Sequence, residues 1–200
     1  MRDIPVLHDL PLSGQLPAFF TTTGLVAIAE IGDKTQLLSL LLSARFRRPV
    51  PILAAVLLAT IVNHLLASLV GVWLQGLLSP DILRWVLAVS FLAMAVWTLI
   101  PDKLDEEAEP RGRWGAFFTT LVMFFMAEIG DKTQLATTAL AARYDSIFLV
   151  TAGSTLGMLL ANGPVILLGH RIISRLPLTL VRRVAAAAFA LLALVTALAW

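Results

Sequence analysis

The stretch AEIGDKTQL, residues 29–37, returns letter for letter at residues 127–135. Each copy sets a glutamate, an aspartate and a lysine inside an otherwise apolar run. An ionisable group at the centre of a bilayer costs at least ~2.5 kcal/mol on insertion scales. A chain that carries this cluster twice therefore needs something to compensate it. What surrounds the clusters decides whether the medium is a bilayer at all.

The surroundings are apolar throughout. The chain has 200 residues, 58% of them hydrophobic and only 14% charged, with a mean hydropathy of +0.88. About a quarter of the residues of a soluble domain are charged, so the composition is that of an integral membrane protein. A span needs about 20 apolar residues. Six candidates satisfy this: roughly 18–42, 50–78, 83–100, 114–142, 146–169 and 181–200. The first and fourth contain the two motifs. Residues 1–17 are expected to be a short polar lead-in rather than a signal peptide, because one arginine is offset by an aspartate and prolines interrupt the apolar run. Residues 101–115 form a charged linker. The formal net charge of +2 gives no case for a nucleic-acid partner, and the absence of cysteine removes disulfide and thiolate-metal chemistry.

Shifted by 98 positions, residues 18–37 and 116–135 are identical at 14 of 20 places. Leu42, Ala44 and Arg45 also meet Leu140, Ala142 and Arg143. Asn63 meets Asn162 after one inserted residue. The chain is an internal duplication, with repeat one at 18–100 and repeat two at 116–200. Each repeat holds three spans, an odd number, so the second enters the bilayer from the opposite side. The expected fold is all-α and polytopic, six transmembrane helices in two inverted three-helix repeats. Transporters of this plan bind their substrate near the midplane, where the repeats meet. Ten basic residues fall in loops one, three and five, and three on the other side. The positive-inside rule then places those loops in the cytoplasm and both termini outside, in the cell's inner (plasma) membrane.

On a regular helix Glu30, Asp33 and Lys34 share one face, at spacings of three and four. Thr35 then points away. A break at Gly32 would undo that assignment. A bland alternative is an ion pair between Glu30 and Lys34 that only lowers the insertion cost. It leaves a surplus, because two motifs carry four carboxylates and two lysines, a charge of −2. That balances one divalent cation or two protons. The metal ligands expected are Glu30, Asp33, Glu128 and Asp131, supported by Lys34, Thr35, Gln36, Lys132, Thr133 and Gln134. Carboxylate, hydroxyl and amide oxygens suit Mg²⁺, Ca²⁺ and Mn²⁺. Asn63 and Asn162 are second-tier ligands or interhelical hydrogen-bond donors. His64 reads as a packing or hydrogen-bonding residue.

The doubled pattern Glu-Ile-Gly-Asp-Lys-Thr, at 30–35 and 128–133, resembles the signature of the cation exchangers catalogued as uncharacterised protein family 0016. The resemblance covers about residues 18–200. It implies that the acids of both motifs bind a transported Ca²⁺ or Mn²⁺, exchanged for H⁺, and that bacterial members act in manganese export. The expected function is a secondary antiporter, not an enzyme. It needs no cofactor; the cation, protons and the lipid bilayer are its partners. Protons and metal would compete for the same oxygens. An exporter of a small organic solute such as an amino acid is the alternative. An intramembrane metal-dependent enzyme is a weaker one, since no H-E-x-x-H pattern occurs. The choice between Mn²⁺ and Ca²⁺, the stoichiometry, the oligomeric state and the role of the linker stay open.

Overall fold

The computed structural model describes residues 12–101, 115–169 and 177–198, with side chains from residue 16 onward. Most of the lead-in and nearly all of the 101–115 linker lie outside the described residues, as do Arg171 and Arg175 of loop five. Within them the chain forms eight helices and no strand: α1 (Leu12–Glu30), α2 (Lys34–Phe46), α3 (Pro49–Leu77), α4 (Pro80–Thr98), α5 (Gly115–Glu128), α6 (Lys132–Tyr144), α7 (Ile147–Leu168) and α8 (Leu178–Leu198).

Local chemistry sets these boundaries. Pro49 and Pro80 open α3 and α4, where the missing N–H is harmless and the fixed φ favours a helix. Arg47 and Asp145 close α2 and α6 in the left-handed conformation. They stand at equivalent places in the two repeats. Four helices, α3, α4, α7 and α8, are long and apolar enough to cross a membrane. α5, which carries the second motif's glutamate, is shorter. A helix of 14 residues such as α5 rises only about 21 Å, against a hydrocarbon core of about 30 Å. The single helices expected at 18–42 and 114–142 are in fact two helices each, α1–α2 and α5–α6, interrupted at the motif.

The repeats interlock. α7 packs along both α1 and α2, while α3 packs along both α5 and α6. Each broken helix is thus held by the middle helix of the other repeat. α1 also meets α6, α2 meets α5, and α4 packs on α8. Glycines allow the close approaches. A Cβ on Gly153 or Gly157 of α7 would lie 2.7 or 2.8 Å from the carbonyls of Phe19 or Thr23 in α1. A Cβ on Gly71 of α3 would lie 2.2 Å from the Thr138 carbonyl in α6. Small residues four apart are the usual device for such contacts between membrane helices.

Polarity is distributed for lipid, not water. Leu58, Leu66, Leu69 and Trp73 of α3 are exposed, as are Trp85, Val89 and Leu92 of α4. Contiguous apolar surface of this kind is rare on soluble monomers. Glu30, Asp33, Gln36, Asn63, His64, Glu128, Asp131, Lys132 and Asn162 are instead buried.

Candidate ion site at the two helix breaks

Gly32 ends the first half-helix with φ +82°, and Gly130 does the same with φ +74°. Glycine takes this left-handed conformation without the clash that a Cβ brings. Asp33 and Asp131 follow in extended backbone and become the N-caps of α2 and α6. Their N–H groups donate to the Glu30 and Glu128 carbonyls at 3.0 and 3.1 Å. Three residues beyond each cap, a glutamine folds back. The Gly32 N–H donates to Gln36 Oε1 at 2.8 Å, and the Gly130 N–H to Gln134 Oε1 at 2.6 Å. This is close to a capping box, in which a side chain at the third helical position satisfies a backbone donor ahead of the helix. Two identical sequences build the same break twice.

Neither cap aspartate's carboxylate makes the usual side-chain cap bond, though Asp131 Oδ2 accepts from Thr133 Oγ1 at 3.4 Å. Both aspartates reach across to the other repeat. Lys132 Nζ lies 2.6 Å from Asp33 Oδ1, and Lys34 Nζ lies 3.4 Å from Asp131 Oδ1. The ion pair weighed between Glu30 and Lys34 gives way to this crossed arrangement, because the break turns Lys34 away from Glu30. The break also removes the regular helix on which the orientation expected of Thr35 rests; Thr35 is fully buried, and its Oγ1 has no hydrogen-bond partner among the described residues.

Both glutamates are fully buried. Glu30 Oε1 accepts a bond from Asn162 Nδ2 at 3.2 Å, and its Oε2 has no partner. Glu128 Oε1 lies 3.0 Å from His64 Nε2 and accepts from Thr133 Oγ1 at 2.9 Å; its Oε2 also has no partner. Glu30, Asp33 and Asp131 each offer an oxygen within 4.8 Å of the other two. Glu128 stands outside that group of three. Two negative charges about 5 Å apart repel by about 3 kcal/mol at an effective dielectric of about 20. A divalent cation or protons would relieve that repulsion.

A surrounding layer holds these groups. Gln36 Nε2 donates to the Ala161 carbonyl at 2.9 Å, and Ser39 Oγ to Asn162 Oδ1 at 2.9 Å. Asn162 therefore links α2 to Glu30 through α7. Asn63 does not mirror it, since its Nδ2 donates to the Phe125 carbonyl at 3.2 Å. Sequence reasoning missed Ser39; it read His64 as a packing or hydrogen-bonding residue, and the structure gives it a hydrogen bond to Glu128. The signal for Ser39 was a lone hydroxyl one turn after Thr35. For His64 it was an imidazole in an apolar span where the second repeat has glycine.

A family profile described as divalent cation/proton antiporter GDT1 matches residues 18–106 and 116–200. The chain is 53% identical to the "Putative manganese exporter" of Vibrio cholerae serotype O1 over 193 residues, 96% of each chain. It is 26% identical to GDT1-like protein sll0615 of Synechocystis sp., covering 71% of this chain and 78% of that one. With GDT1-like protein 4 of Oryza sativa subsp. indica the identity is 24%, covering 82% of this chain and 66% of that one. No solved structure matches.

Proposed function

We propose, from the premise that this chain belongs to the divalent cation/proton antiporter family GDT1, that it exports Mn²⁺ from the cytoplasm in exchange for protons at the two opposed helix breaks. One observation carries the reading. Acids from both motifs converge within 4.8 Å while each motif's lysine pairs with the other motif's aspartate. Such a site answers to charge. A divalent cation entering it displaces the lysines from Asp33 and Asp131. When the cation leaves, protons and the two lysines neutralise the carboxylates again. Cation and protons compete for the same oxygens, and this competition links their opposite movements.

The breaks suit this work. In discontinuous membrane helices, backbone carbonyls at the half-helix ends are available to cations. Here Glu30 and Glu128 end α1 and α5, and Asp33 and Asp131 begin α2 and α6. The metal ligands are Glu30, Asp33, Asp131 and Glu128. Thr35, Thr133 and the helix-end carbonyls add oxygen. The close spacing of the acids suits a bare ion better than an amino acid. Mn²⁺ is preferred to Ca²⁺ because the 53% identical relative is named for manganese.

In this reading α1–α2 and α5–α6 each make one discontinuous span. With α3, α4, α7 and α8 they give six spans in two inverted repeats. The duplication and the interlocking of α3 and α7 support it. The protein lies in the inner membrane with the α2–α3 connection in the cytoplasm and both termini outside. The test is proton flux in liposomes holding purified protein. An inward Mn²⁺ gradient should drive protons outward, and Ca²⁺ should do so less well. Manganese uptake without proton movement would reject exchange.

A further inference from the structure

The two halves of the site differ at His64. Glu30 meets the carboxamide of Asn162, whereas its counterpart Glu128 meets an imidazole. Asn63, the residue that matches Asn162, turns to the Phe125 carbonyl instead. The residue that matches His64 is Gly163. A Cβ there would meet nothing nearer than Leu53 Cδ2 at 4.0 Å. The second repeat has room for a Cβ at this position and carries none.

His64 is fully buried, and its Nδ1 has no hydrogen-bond partner among the described residues. A buried ring nitrogen is ordinarily satisfied, whether the histidine packs or ligates. His64 sets Nε2 against a buried carboxylate whose second oxygen is itself without a partner. Thr133 fixes the same carboxylate from the side of the break.

We infer that His64 is a metal ligand of the transport site, the nitrogen donor that makes it take a first-row transition cation such as Mn²⁺ in preference to Ca²⁺ or Mg²⁺. The inference rests on the cation-exchange reading of the site. Ca²⁺ and Mg²⁺ are held by oxygen, whereas imidazole is a ligand of the first-row transition metals. His64 Nε2 lies 3.0 Å from Glu128 Oε1, a hydrogen-bond contact that sets the imidazole beside a motif acid. The doubled motif supplies oxygen from both repeats, and this added residue supplies the discrimination.

The experiment uses full-length protein with ¹⁵N-labelled histidine, loaded with Mn²⁺ in detergent and examined by pulsed electron paramagnetic resonance. The chain has three histidines, at 8, 64 and 170, so His64→Gln assigns any signal. Wild type should show ¹⁵N hyperfine coupling to the ion, and His64→Gln should lose it. In liposomes the variant should lose about tenfold or more of its Mn²⁺ over Ca²⁺ preference, and its thermal midpoint in detergent shows that it folds. His64→Asn is the second variant. Bound Mn²⁺ without ¹⁵N coupling in wild type overturns the inference, and that measurement needs no variant. Equal loss of Mn²⁺ and Ca²⁺ exchange in the variants overturns it too. Those results leave the exchange reading standing. A wild-type protein that neither binds nor moves Mn²⁺ removes both.

Discussion

Lys34 and Lys132 hold the same place in two copies of one motif but sit at different depths. Lys132 and Asp33 are both buried and 2.6 Å apart, while the side chain of Lys34 is 32% exposed and 3.4 Å from Asp131. Removing one partner of a buried pair leaves a charge without its counterpart and costs about 3–5 kcal/mol. A partly exposed pair is screened by solvent and contributes about 1 kcal/mol or less. Lys132→Met should therefore lower the thermal midpoint in detergent well below that of Lys34→Met, and adding Asp33→Asn should recover part of the loss. Equal midpoints for the two single variants would contradict the depth argument. The glutamates predict a different outcome. Glutamine keeps the shape of Glu30 or Glu128 and loses the charge for which cation and proton compete. Glu30→Gln and Glu128→Gln should each abolish Mn²⁺ export at near-normal membrane yield, read as growth under manganese excess. Wild-type export by either variant would reject a site shared between the repeats.

At the scale of the element, the break depends on backbone that glycine adopts at little cost. A Cβ on Gly130 would meet no atom within 4 Å, so Gly130→Ala tests the φ of +74° alone. The left-handed conformation costs an ordinary residue about 1–2 kcal/mol, and that is the expected loss of stability. Gly71→Ala should cost more, since its Cβ would sit 2.2 Å from a backbone oxygen of α6 and the helices would have to part. Chemical denaturation of both variants ranks them. The charged motifs, their duplication and the long apolar helices could be read from the sequence because they are local or periodic. The break was harder. A regular helix through residues 29–37 placed Glu30, Asp33 and Lys34 on one face, and only the structure turned Lys34 toward Asp131. Its signal was nevertheless present: Asp33 and Gln36, and Asp131 and Gln134, keep the spacing of a cap and the residue that closes it. The crossed lysines and the His64–Glu128 contact had no such signal. They join residues 64 or more positions apart, and a helical period carries no information about which distant element a side chain meets.

For the whole molecule, what remains is which way it faces. The helices α7 and α3 each clasp the broken helix of the other repeat. Under the proposed six-span reading, three spans per repeat invert the second repeat relative to the first. α3 has 29 residues and rises about 43 Å, enough to cross the bilayer. Its two ends then lie on opposite sides. Arg45, Arg47 and Arg48 precede it, and no charged residue occurs from 50 to 78, so the positive-inside rule puts its start in the cytoplasm. The chain has no cysteine, and single cysteines report without background. An impermeant thiol reagent applied to intact cells should label Ser79→Cys and Asp145→Cys and spare Arg48→Cys until the membrane is opened. Labelling of Arg48→Cys alone would turn the protein over in the membrane while preserving the inverted repeats. Labelling of Arg48→Cys and Ser79→Cys together would mean that α3 does not span, and the six-span arrangement would fall with it.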